Sequence, residues 1–77
     1  MIFPNKLFSY NESVISKFPI ILEIVEEQPI TVSALYLRVS DRVSGAGEFI
    51  EALDALYALN AIDYDDNKGV LVYANVI

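Results

Sequence analysis

Only a few kinds of residue in this chain could do chemistry. It holds eleven Asp and Glu against five Lys and Arg, with no His and no Cys. Six serines are present, but no His or Cys is there to activate one as a nucleophile. The same absences exclude a disulfide, thiol redox chemistry and a zinc site built on Cys or His, and they fit a reducing compartment. Carboxylates remain. The densest set, Asp63, Asp65, Asp66 and Asn67, resembles the start of a calcium loop. Its register fails, because with Asp63 as first ligand Lys68 falls where the loop needs glycine and Ala74 where it needs glutamate. The four residues read instead as a polar turn. Gly45-Ala46-Gly47 precedes a helical pattern, but no Gly-Lys-Ser/Thr follows and no apolar strand leads in, so it reads as a loop between helices rather than a phosphate cradle. The other carboxylate pairs fall on predicted helices. No enzyme, cofactor or metal is expected.

Seventy-seven residues make one domain, 1–77. A chain this short buries only roughly 60–65% of its unfolded surface, so its core supplies modest stability. The hydrophobic fraction is 55%, high for so small a domain. Either some aliphatic groups are simply exposed, or a partner covers part of the apolar surface. The net charge of −6 works against nucleic-acid binding, which rests on Lys and Arg neutralising phosphates. The longest apolar runs, 18–22 and 70–74, are far below the ~20 residues that span a bilayer. The opening residues lack a basic stretch followed by an apolar one, so no secretory signal or membrane partner is expected and the default location is the cytoplasm.

The elements that must position any functional surface follow from periodicity. Residues 1–10 read as an extended arm, with Pro4 disfavouring helix at Phe3. Ser9-Tyr10-Asn11-Glu12 has the form of a capping box, with Asn11 an alternative cap, and predicts a helix from about 10–12 to Glu27. Its inward face is Val14, Phe18, Ile21, Leu22 and Val25, and Pro19 predicts a kink or two helical pieces. Ile20 and Ile24 fall beside that stripe, either in a wide core face or as a contact ridge. Gln28-Pro29 ends the helix, Ile30 suits a short strand, and Thr31 caps a second helix running to Val39 or Asp41 with Val32, Leu35, Tyr36 and Val39 inward. Arg38 and Arg42 complement the dipole at its end. A third helix runs from Gly47 or Glu48 to Leu59, with the stripe Phe49, Ile50, Leu53, Leu56 and Tyr57 inward and Asn60 as its left-handed cap. The period then changes to two, and 61–77 reads as a hairpin turning at Asp66-Asn67-Lys68-Gly69. This order predicts an α+β fold of winged helix-turn-helix type: three helices, a C-terminal β-hairpin wing and an extended N-terminal arm.

In a DNA-binding winged helix the third helix enters the major groove. Here its predicted outward face carries Glu48, Glu51, Asp54, Ala55 and Ala58, and no Lys or Arg occurs between Val43 and Asn67. Such a face repels phosphate and offers no Arg or Asn to a base edge. It is either a solvated face or an acidic docking face for a basic partner.

Two strings carry a family resemblance. Ile2-Phe3-Pro4-Asn5-Lys6, with Ser13-Val14-Ile15 and Ile21-Leu22 after it, and the distal Ala52-Leu53-Asp54-Ala55-Leu56-Tyr57-Ala58-Leu59-Asn60-Ala61-Ile62 together resemble the short middle components of bacterial ABC-three-component systems. The Pro-Asn-Lys opening gives the resemblance its specificity. It implies a subunit encoded between an SMC-like or RecN-like ABC ATPase and a third, often effector-bearing protein, bridging the two in conflict with phage or other invading DNA. No catalytic motif comes with it.

The expected role is therefore a protein–protein adaptor. Its expected contact residues are Ile2, Phe3, Leu7 and Phe8 in the arm, Ile20 and Ile24, the third-helix residues Glu48, Glu51, Asp54 and Ala55, and Val70, Val72, Val76 and Ile77 in the last strand, whose edge could pair with a partner's strand. A homodimer is compatible with this. The alternative is a dimeric winged-helix transcription regulator, with Lys68 and Lys6 as its phosphate contacts. An antitoxin-like or chaperone-like small subunit is a third class.

Overall fold

The structure, a computed structural model, describes residues 12–74. The arm with Ile2, Phe3, Leu7 and Phe8, the Ser9 and Asn11 caps, Lys6, Val76 and Ile77 lie outside those residues.

The first predicted helix is in two pieces, α1 (Glu12–Ile15) and α2 (Phe18–Glu27). Proline causes the break. Pro19 has no N–H for the carbonyl of Ile15, and its ring would crowd that carbonyl. The chain closes α1 through Ser16 N–H to the Glu12 carbonyl (2.9 Å) and Lys17 N–H to the Val14 carbonyl (3.1 Å). It restarts with Pro19 in the first turn of α2, where a missing N–H costs nothing. Gln28 precedes Pro29 and is held extended (φ −168, ψ 156), which ends α2 at Glu27.

Ile30 then forms an antiparallel bridge with Leu71, donating to its carbonyl at 3.1 Å and accepting from its amide at 2.7 Å. Helix α3 (Val32–Val39) is capped as predicted, with the Thr31 hydroxyl accepting from Ala34 N–H at 3.1 Å. Helix α4 spans Ala46–Ala58. Its N-cap Gly45 has φ 143, a conformation that strains any other residue. Its end is a full Schellman turn: Ala61 N–H reaches the Leu56 carbonyl (2.9 Å), Asn60 N–H reaches Tyr57 (3.0 Å), and Asn60 takes the expected left-handed φ of 63.

Strands β1 (Ile62–Asp65) and β2 (Val70–Tyr73) pair antiparallel, with Ile62 opposite Tyr73 and Tyr64 opposite Leu71. Directly opposed residues share a face, so Ile62, Tyr64, Leu71 and Tyr73 form one face and Asp63, Asp65, Val70 and Val72 the other. Ile62 and Leu71 are buried beneath α2 and α4. Gly69 closes the turn at φ 69.

The core joins all these elements, with Val14, Ile21, Leu35, Val39, Phe49 and Leu56 fully enclosed. The rings of Tyr36 and Phe49 stack tilted at 5.0 Å between α3 and α4. Among the described residues no polar or charged side chain is buried, and no helix is long and apolar enough to cross a membrane. The fold is α+β, helices followed by a two-stranded antiparallel hairpin, an order compatible with a winged helix.

Candidate protein-docking surfaces

The outward surface of α4 is set by how its first turn is anchored. Glu48 is its third residue and turns back on the chain. One carboxylate oxygen accepts the Ser44 amide at 2.8 Å, and the other accepts the hydroxyl of Ser13 in α1. Lys17 Nζ sits 3.5 Å from the same carboxylate and donates to the Ser13 carbonyl at 3.0 Å. The Glu48 side chain is left only 9% exposed. The Ser13 and Ser44 hydrogen bonds, helped by the Lys17 charge and opposed by desolvation, hold its carboxyl below the ordinary value of 4.5.

Beyond this anchor α4 turns Glu51 and Asp54 to solvent, together with Ile50 and Tyr57. A cleft of about 310 Å³ lies between this side of the helix and the inner face of the hairpin. Buried Leu53, Ile62 and Leu71 make its floor, Tyr57 and Tyr64 stand beside it, 58% and 45% exposed, and Asp54 and Asp66 lie at its rim. A second, larger groove of about 730 Å³ runs along α2, where half-buried Ile20 lies between Lys17, Glu23 and Arg42.

The turn acids are occupied differently from the rim acids. The Asp63 carboxylate accepts the Tyr64 amide at 2.8 Å, and Asp65 accepts the amides of Asn67 (3.0 Å) and Lys68 (3.2 Å). Asp65 thus builds the turn, as its sequence context predicts.

A model of the ABC-three component (ABC-3C) system Middle Component 7 family matches residues 3–71. The chain belongs to that family. No curated protein and no solved structure matches it. A middle component is one part of a multi-component system, so this ABC-3C chain has protein partners.

The structure redistributes the contact residues expected of this middle component. Glu51 and Asp54 are exposed on α4, and Ile20 is half-buried at the α2 groove. Three expectations need correction. Ile24 is 7% exposed inside the hydrophobic cluster, so of the two residues beside the α2 stripe this one is core and only Ile20 reaches the groove. Ala55 is fully buried and belongs to the inward side of α4. Glu48 is a tie to α1 rather than a free acid. Val70 and Val72 are half-buried on the outer face of the hairpin, but the edge of β2 is not open where it was expected to be, since Ile30 already bridges Leu71. On β1, Asp63 occupies the Tyr64 amide, which blunts that side too.

Sequence reasoning placed Ile50 and Tyr57 in the core, and both are exposed. The buried face of α4 is Phe49, Ala52, Leu53, Ala55 and Leu56. The signal was present in the alanines. A helix apolar on nearly every side buries its smallest residues where packing is closest, which turns the bulkier Ile50 and Tyr57 outward.

Proposed function

We propose that this chain is a non-enzymatic adaptor of winged-helix type, bridging an SMC-like or RecN-like ABC ATPase and an effector protein in a bacterial system directed against phage or mobile elements. Membership of a middle-component family supports a role between other subunits. The observation that carries the adaptor role over DNA reading is the exposed surface of α4. In the winged-helix arrangement this is the helix that would meet the major groove. Its free charges are Glu51 and Asp54, beside Ile50 and Tyr57, and no Lys or Arg occurs between Val43 and Asn67. Phosphate would be repelled there, and the exposed apolar and aromatic groups suit a protein surface instead. Of the four basic residues in the described part, Lys17 is paired with Glu48, Arg38 and Arg42 lie at or just beyond the end of α3, and Lys68 stands alone in the hairpin turn beside Asp65 and Asp66.

Two measurements on the full chain test this. Co-expression with the ABC ATPase encoded beside it should give a complex that survives size-exclusion chromatography. Titration of the isolated chain with duplex DNA should give no binding above the weak non-specific range. Tight duplex binding with a steep loss of affinity in salt would overturn the adaptor role in favour of a DNA-binding regulator.

A further inference from the structure

Building on the adaptor role proposed above, we propose that the cleft between α4 and the hairpin docks a partner-protein segment through one cationic side chain, arginine by preference, flanked by apolar residues. The cleft has the parts such a side chain needs. Leu53, Ile62 and Leu71 give an apolar floor against which an aliphatic stem can pack. Tyr57 and Tyr64 present ring surface to the same space, and aromatic faces attract guanidinium and ammonium groups. Asp54 and Asp66 supply carboxylates at the rim.

The carboxylates decide the occupant. Asp63 and Asp65 each commit one carboxylate oxygen to backbone amides and lie outside the cleft lining, whereas the side chains of Asp54 and Asp66, which do line it, make no hydrogen bond or ion pair among the described residues. No Lys or Arg lines the cleft. A neutral apolar segment seated there would strip water from two unpartnered carboxylates, which is unfavourable. A second copy of this chain docking through the same face would bring Asp54 and Asp66 against their own counterparts, and any other approach must overcome the repulsion between two chains of net charge −6. A nucleic-acid backbone meets the same repulsion. Only a cation satisfies both the aromatic walls and the acidic rim, and the planar guanidinium can stack on tyrosine while its N–H groups reach carboxylate oxygens.

The test uses the full chain and two readouts. In the first, the complex with the system's own ATPase or effector is titrated with variants. Tyr57→Ser, and Asp54→Asn combined with Asp66→Asn, each weaken binding by about tenfold or more, as expected for a central anchor. Tyr57→Phe retains affinity, because the ring rather than the hydroxyl is used. Glu27→Gln with Asp41→Asn removes equal charge from exposed sites elsewhere and leaves affinity within about twofold. If the wild-type chain assembles and the cleft variants assemble equally well, the cleft proposal is wrong while the adaptor role stands. In the second readout, amide chemical shifts of the isolated chain follow N-acetyl-arginine amide and its uncharged analogue N-acetyl-citrulline amide. Shifts concentrated at 53–57 and 62–71 with arginine, lost with citrulline and lost in the Asp54→Asn, Asp66→Asn variant, support the site even if no subunit co-purifies. Equal shifts with both probes, or none with either, overturn it. All these residues but the floor are exposed, so the variants should fold, and an unchanged far-UV spectrum verifies that.

Discussion

Single residues divide into those that hold the frame and those that face outward, and Glu48 marks the division. Its carboxylate accepts from Ser13 and Ser44 and sits beside Lys17, so it ties α1 to the start of α4. These interactions favour the ionised form and lower its pKa in the folded chain. A lowered folded value means the group binds its proton less readily when folded than when unfolded. The stabilisation is therefore fully present above the unfolded value near 4.5 and is lost as pH falls below it, through the lowered folded value. Glu48→Gln should accordingly lower the melting temperature at pH 7, and the gap between variant and wild type should narrow towards pH 3. A gap that stays constant or widens in acid would rule out the ionised tie. Ile24 belongs to the frame as well. Because it is buried, Ile24→Ala should cost about 2–5 kcal/mol in denaturant unfolding, whereas a contact ridge would show only in partner affinity. Sequence alone left that choice open, since a residue beside a helical stripe is core or surface according to how many neighbours wrap the helix.

Element boundaries were legible wherever local chemistry dictates the backbone, and less so where packing does. Thr31, Pro29, Pro19 and Asn60 each act within a turn of themselves, and each appears in its predicted role. The orientation of α4 did not follow so directly. Its apolar residues occupy most of its circumference, so periodicity alone could not say which side meets the core, and contacts with α1 and the hairpin decide it. The bridge from Ile30 to Leu71 was equally invisible, because it joins residues 41 positions apart. The turn after α4 matters most at this scale, since it aims the hairpin at the helix and so shapes the cleft. Asn60 sits at φ 63, where a β-carbon is unfavourable by about 1 kcal/mol. Asn60→Ala should thus destabilise the chain by about 1–2 kcal/mol, and Asn60→Gly should leave stability unchanged or slightly raised. Equal losses in both variants would mean that the Asn side chain, and not the left-handed backbone, secures the turn.

For the whole molecule, small size and excess negative charge act together. At roughly 0.05–0.15 kcal/mol per residue, the free chain has only about 4–12 kcal/mol of stability. Exposed Asp54 on α4 and Asp66 in the hairpin turn line the same cleft, and Lys68 is the one base between Val43 and the end of β2. Like charges held near one another oppose folding, and salt screens them over roughly 10 Å at 0.1 M. A cationic partner should relieve the same repulsion, and salt should weaken that relief. The two effects have opposite signs and can be read in one experiment. Raising NaCl from about 50 to about 500 mM should raise the melting temperature of the free chain by a few degrees. With partner present at about 100 times its dissociation constant, binding should add about 2.7 kcal/mol, or roughly 10–20 °C for a domain of this size. That added increment should shrink over the same salt range, because an interface built on charge complementarity weakens when screened. An increment indifferent to salt would mean that the partner covers apolar surface only, and that the acidic rim of the cleft contributes nothing to assembly.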